Sequence, residues 1–216
     1  MSSKTTPSST ADSFDASSGA RLPKELRRQQ LIGNAVRVFA SQGYHATTMD
    51  HIAAASSVTK PVLYQHFSGK RDLYLAVLDE QIKTLLDQIL SPLYSTEINK
   101  EKVRGVISAF FNFALQNVAG YKVIFESDIQ ADYAVQERIE NLHVVIAERI
   151  AEVLAPNAHM RFDEALMTAR MLIGMTQAAA HLVIGTDPSL QQIQLAERAV
   201  FRLAWGGISI IDEDWS

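Results

Sequence analysis

From Arg21 onward apolar residues recur every three and four positions almost without interruption, and proline and glycine fall between the periodic segments. That period constrains the fold more than any other feature, because a chain with no alternating apolar–polar run has no half-buried strand to build a sheet from. The expected class is therefore all-α. The spacing predicts nine helices, at about 23–41, 48–55, 59–66, 70–91, 100–117, 119–126, 130–154, 162–185 and 189–205. Their boundaries are punctuated: Gly43 follows the first, Pro92 ends the fourth, Pro156 follows the seventh, and Asp187-Pro188-Ser189 opens the last.

Three segments are expected. Residues 1–20 are rich in Ser and Thr and nearly free of large apolar side chains, so they are read as a disordered arm. Residues 21–70 form a small three-helix unit, and 71–216 a larger helical body. The net charge of −4 divides unevenly between them. Residues 1–71 carry nine Lys/Arg against four Asp/Glu, whereas 72–216 carry eleven against twenty. A basic amino-terminal third on an acidic body is the asymmetry of a module that meets phosphate. The chain contains no cysteine, which excludes disulfides and thiolate metal sites and is compatible with a cytoplasmic protein. No run approaches ~18 uninterrupted apolar residues, so no membrane span is expected.

Within the basic unit the first helix carries Leu31, Ala35, Val38 and Phe39 on one stripe. Thr48 is an N-cap for a short second helix, with Asp50 in its first turn and Met49, Ile52 and Ala53 as its apolar face. Ser56-Ser57-Val58 is a turn, and Thr59 caps a third helix. At 100° per residue, Val62, Leu63 and Phe67 gather on one side of that helix and Pro61, Tyr64 and Gln65 on the other, with Lys60 at the edge. Pro61 is tolerated because first-turn amides have no helical acceptor. A short helix exposing a cation, a ring and an amide suits a major groove. Lys70 opens the next helix, where its ammonium and the free amides can share one phosphate.

The stretch T-T-M-D-H-I-A-A-A-S-S-V-T-K-P-V-L-Y-Q-H-F-S-G-K-R-D-L, Thr47 to Leu73, resembles the DNA-binding signature of TetR-family regulators. The resemblance implies a helix-turn-helix headpiece on a divergent helical body. It further implies a homodimer joined by the last two helices and a ligand pocket in each body. By position it implies that Thr48, Thr59, Lys60, Tyr64, His66 and Lys70 meet DNA, with Pro61 and Gln65 on the same face. One departure is Ser57, where the family usually has Gly; a turn needing φ > 0 there strains serine. Plainer readings stay open beside these. Thr48 and Thr59 serve equally as caps, Tyr64 as ordinary surface, His66 as packing and Lys70 as a solvated cation. The cluster Arg21, Lys24, Arg27 and Arg28 serves as a wet face or as a source of nonspecific phosphate attraction.

In the body, Phe110, Phe111, Phe113 and Phe125 cluster in sequence, and Val135, Ile139, Leu142, Ile146, Ile150 and Val153 make one continuous stripe. Such stripes are core or pocket wall. Leu86, Ile89, Phe111, Phe125, Leu142 and Ile146 are the set able to enclose an apolar channel. Gly174 and Ala178 on the eighth helix, with Ala199 and Trp205 on the ninth, suit a close helical dimer seam, or equally packing within one subunit. His143 and the group Glu126, Asp128 and Asp132 lack paired ligand spacing, so no metal is expected. No nucleophile elbow, phosphate loop or paired catalytic carboxylates appear, so no enzyme and no cofactor are expected.

Several body segments resemble one branch of the family, the actinobacterial regulators of fatty-acid synthesis that respond to long-chain acyl-CoA. These are Phe110-Phe111-x-Phe113, Gly120-Tyr121 leading to Ile124-Phe125-Glu126, and Phe201-x-x-Ala204-Trp205-Gly206-Gly207-x-Ser209. The resemblance implies an acyl-CoA effector; its bulky polar head, costly to bury, is expected to stay near solvent beside the basic headpiece. The alternatives are a constitutive or architectural DNA binder without effector, and an all-helical enzyme.

Overall fold

The helical period is realised as nine helices and no strand among the described residues, 23–184 and 189–208, of the computed structural model. These are α1 (Lys24–Ala46), α2 (Met49–Ala55), α3 (Lys60–Tyr64), α4 (Lys70–Tyr94), α5 (Asn99–Gln116), α6 (Val118–Phe125), α7 (Tyr133–Asn157), α8 (Phe162–Ile184) and α9 (Leu190–Ile208). The amino-terminal arm, Arg21, the Asp187-Pro188 break and Ser209 lie outside the described residues.

Three expected helix ends differ. Pro92 does not end α4, which continues to Tyr94, and Pro156 lies inside α7, which continues to Asn157. A proline removes only its own N–H and crowds one carbonyl four residues back. In a last turn, where carbonyls are already losing partners, that loss is small. The ring of Pro92 is matched by Gly105 on α5, where a Cβ would lie 2.6 Å from the Pro92 Cβ. The third correction is α1, which runs past Gly43 to Ala46. Gly43 kinks it at φ 77° and ψ 167°, and a final turn follows the kink.

α1, α2 and α3 pack into a unit around Leu31, Ala35, Ile52 and Leu63, none with any exposure. Phe67, just beyond α3, closes it from below with Arg28 stacked on its ring at 4.9 Å. Each of the larger side chains among these, Leu31, Ile52, Leu63 and Phe67, contributes about 1.5–3 kcal/mol on full burial. The same apolar cluster continues without a gap through Tyr74, Val77 and Leu78 of α4 into Phe111, Tyr121, Leu142 and Ala204 of the body. α4 is the shared wall, packing against α1, α5, α6 and α7. α7 and α8 lie along one another, and α9 covers α5 and α8. A smaller cluster of Ala151, Leu154 and Ala165 closes the far end of α7 and α8.

Candidate nucleic-acid interface and effector cavity

The helix-turn-helix is built from local rules. Thr48 caps α2, its hydroxyl accepting from the His51 N–H at 3.2 Å. The turn brings Val58 N–H onto the Ala53 carbonyl at 3.0 Å, and Ser57 adopts φ 53°, in the left-handed region. Leu63 anchors α3 in the core, which turns Thr59, Lys60, Pro61, Tyr64 and Gln65 to solvent together. Tyr64 is 49% exposed. Thr59 stands at the N-cap position of α3 yet makes no capping hydrogen bond with its side chain. Lys60 is paired across the turn with Asp50, Nζ to Oδ2 at 2.8 Å.

His66 sits between the two faces. It is half-buried beside Phe67, and its Nδ1 is buried without a hydrogen-bond partner. Burial, reinforced by Lys24, Arg28 and Arg27, pushes its pKa below the ordinary histidine value.

Lys70 lies on the inner side of this unit. Its Nζ donates to the carbonyls of Tyr44 at 2.8 Å, His45 at 3.2 Å and Thr47 at 2.8 Å, and stands 4.4 Å from the centre of the Tyr44 ring. At the start of α4 the Asp72 carboxylate takes the Ser68 N–H at 2.8 Å.

The α6–α7 loop reaches back to the same place. The Asp128 carboxylate accepts from the Tyr44 N–H at 2.7 Å and the His45 N–H at 3.1 Å. Gly43 makes that approach possible, since a Cβ there would lie 2.8 Å from Asp128 Oδ2. Burial raises the Asp128 pKa, but the His45 and Tyr44 amides outweigh it and hold the carboxyl below its ordinary value. Asp132 caps α7 through the Ala134 N–H at 2.9 Å and grips Arg71 of α4 with both oxygens, at 2.8 and 2.9 Å. The buried Tyr74 hydroxyl donates toward the Val123 carbonyl or Ser127, at 3.0 and 2.7 Å, and burial pushes its pKa up to about 12. Sequence reasoning weighed Asp128 and Asp132 only as metal ligands. The Asp-x-Ala-Val cap was readable at Asp132, but the bonds from Asp128 to residues 83 and 84 positions away carried no local signal.

A cavity of about 260 Å³ opens between α4, α5, α7, α8 and α9. Its walls include Ile89, Leu93, Val106, Ile107, Phe110, Ile146, Ile150, Leu172 and Trp205. Of the six residues expected to form a channel, Ile89 and Ile146 line it. Leu86, Phe111, Phe125 and Leu142 do not: Phe111 and Leu142 are packed core, and Leu86 and Phe125 lean against that core. Leu86 and Leu142 lie one turn before Ile89 and Ile146 on the same stripes, so the hollow begins one turn further along both helices. Ile89 is nineteen residues beyond Lys70, or roughly 28 Å along α4. Of the polar lining groups, Thr176 and Gln177 belong to α8, while Asn99, Lys102, Asn157 and His159 belong to the start of α5, the end of α7 and the α7–α8 turn. Lys102 has no ion-pair partner among the described residues.

The last two helices present an apolar face outward. Met167, Met171, Gly174, Ala178 and Leu182 follow one exposed stripe of α8, and Leu195, Ala199 and Leu203 lie exposed on α9. A Cβ at Gly174 would meet nothing. Three of the four residues expected at a seam, Gly174, Ala178 and Ala199, are on this face. Trp205 differs: it is half-buried and lines the cavity.

Residues 31–77 match the model of bacterial regulatory proteins of the tetR family, and residues 100–202 match that of the tetracyclin repressor-like C-terminal domain. The HTH-type transcriptional activator FasR of Mycolicibacterium smegmatis is 34% identical over 191 residues, which cover 88% of this chain and 87% of that protein. A TetR-like transcriptional regulator from Rhodococcus sp. RHA1 superposes with a TM-score of 0.72 at 26% identity, over 88% of this chain and all of that one. The fold is also that of FadR from Bacillus subtilis, solved in complex with stearoyl-CoA, with a TM-score of 0.72 at 19% identity over 83% of this chain and 98% of FadR.

Proposed function

The chain belongs to the TetR family of bacterial regulatory proteins, and from that membership we infer that this transcriptional regulator is a homodimer whose grip on a palindromic operator is switched by an apolar effector, long-chain acyl-CoA. Each subunit offers Thr48, Thr59, Lys60, Pro61, Tyr64, Gln65 and His66 to the duplex. Lys60, Tyr64 and Gln65 face the base edges, and Thr48 and Thr59 face phosphate. His66, whose pKa is lowered by burial and by the cations of α1, offers hydrogen bonds from a half-buried ring. The exposed stripes of α8 and α9 join the two copies, and two recognition helices then meet half-sites about one duplex turn apart or a multiple of it.

The observation that carries the effector reading is that one helix, α4, both walls the apolar cavity at Ile89 and Leu93 and holds the headpiece junction at Lys70 and Arg71. A ligand that spreads the walls favours one placement of α4 and so shifts the population of headpiece spacings. FadR, with its bound stearoyl-CoA, supplies the chemical precedent. The cavity is below the range of about 300–1,000 Å³ usual for pockets that enclose a whole drug-sized ligand. It suits an acyl chain and leaves the nucleotide head outside, toward Lys102 and Asn99.

The test is operator titration with acyl-CoA of increasing chain length, with an unrelated planar drug as control. Each buried methylene contributes ~0.8 kcal/mol, so the half-effective concentration should fall roughly fourfold per added methylene until the cavity is full. A flat series, with a response to the unrelated compound, discards the acyl effector. A flat response to every compound selects a constitutive binder.

A further inference from the structure

The resemblance counts Lys70 among the phosphate ligands of the headpiece, but its surroundings assign it other work. We propose that Lys70 is a positioning residue for DNA binding, a cation that fixes the end of α1 and thereby the placement of α2 and α3, and not a ligand of the duplex. The DNA part of this proposal rests on the operator-binding reading above.

An ammonium has three N–H groups. All three of those on Lys70 are accounted for by the carbonyls of Tyr44, His45 and Thr47. The kink at Gly43 explains why these carbonyls need a cation. It breaks α1, and the short turn that follows leads into α2 with no further helical turn to donate to them. They are the negative end of a helix, where a positive side chain is favoured. The Tyr44 ring packs against the same ammonium and against the rings of Phe39 and Tyr74, so the cation is walled on its open side.

The segment is held from its other edge too. Asp128 takes the N–H groups of Tyr44 and His45 while Lys70 takes their carbonyls, and Thr47, fully buried, returns its hydroxyl to the Gly43 carbonyl at 2.6 Å. Thr48, the cap of α2, is the next residue. A shift of Tyr44–Thr47 therefore moves the start of α2. Turning Lys70 toward a phosphate strips three acceptors at once.

Two measurements on the full-length protein separate the roles. In the free protein, hydrogen exchange of residues 47–55 should quicken about tenfold in Lys70→Met, the effect of losing one buried hydrogen-bond set, while α7 and α8 stay protected. A phosphate ligand leaves free-protein exchange unchanged, and that result overturns the proposal. On the operator, Lys70→Met should lower affinity while the slope of log K against log salt stays within about half a unit of wild type. Removing a phosphate contact instead makes the slope shallower by about 0.9 per subunit, which also overturns it.

Lys70→Arg keeps the charge and carries the test should Lys70→Met lose protection throughout α1 and α4. A planar guanidinium forks toward phosphate but does not converge on three carbonyls. Arginine should therefore fail to restore affinity, and full restoration refutes the clasp. Should the wild type bind no duplex, the operator reading fails by itself, and the exchange result still decides what Lys70 does.

Discussion

Ser57 occupies a conformation that costs a residue with a Cβ about 1–2 kcal/mol, φ 53° in the turn between α2 and α3. The turn demands it because Val58 must swing its N–H onto the Ala53 carbonyl for α3 to cross α2. Ser57 is exposed, so its side chain returns nothing by packing. Ser57→Gly should therefore stabilise the protein by about 0.5–1 kcal/mol, the strain relieved less the added freedom of glycine in the unfolded chain. An unchanged denaturation midpoint at constant m-value counts against the strain. At the same scale Tyr64 and Leu63 divide the work of α3: one residue points into the core and its neighbour out. Tyr64→Ala should weaken operator binding by about 1–3 kcal/mol in a fluorescence-anisotropy titration, with unfolding unaffected.

Among the elements, the α6–α7 loop ties body to headpiece by polar bonds, beside those that Lys70 makes from the start of α4. Asp128 on the Tyr44 and His45 amides and Asp132 on Arg71 brace the junction that α1 and α4 hold by packing and by the three bonds of Lys70. Asp128→Asn keeps the shape and removes the charge. Because the folded pKa of Asp128 is held below its ordinary value, its contribution is fully present above the ordinary carboxylate range, near pH 4. It is lost as the pH falls through the lowered value. The variant should thus be less stable than wild type by about 1 kcal/mol at pH 7, a figure already reduced for solvent exposure, and equal to it in acid. Paired denaturant titrations at neutral pH and at a series of pH values descending through and below the carboxylate range check this. A gap that persists in acid removes the carboxylate from the explanation.

For the whole molecule, the continuous core from Leu31 to Ala204 makes headpiece and body one mechanical unit. A change in the body then reaches the recognition helix through packed side chains. The outward stripe of Met167, Met171, Ala178 and Leu182 is a contiguous apolar surface of the kind monomers seldom leave wet. Ala178→Arg sets a charge in the middle of it. The variant should sediment as a monomer and lose cooperative binding to a two-half-site operator while binding a single half-site as before. A dimer that survives this change moves the interface to another face.

Much of this was legible in one dimension. The 3.6-residue period determined the all-α class and the nine helices of the described residues, since amphipathic spacing and capping are local properties. The cap at Thr48, the turn at Ser57 and the outward set on α3 followed from the same rules, with Leu63 against Tyr64 decided by angle alone. What the tertiary structure decided is which members of a stripe face a hollow and which face a neighbour. Ile146 and Leu142 share one stripe of α7, yet one lines the cavity and the other is sealed core, because that depends on how far along the bundle α4 and α8 pack against α7. The placement of Lys70 and Asp128 was decided in the same way. A charged side chain in a sequence declares what it can bind, but its partner here is backbone up to 84 residues away, brought within reach only when α4 and the α6–α7 loop close on the kink at Gly43.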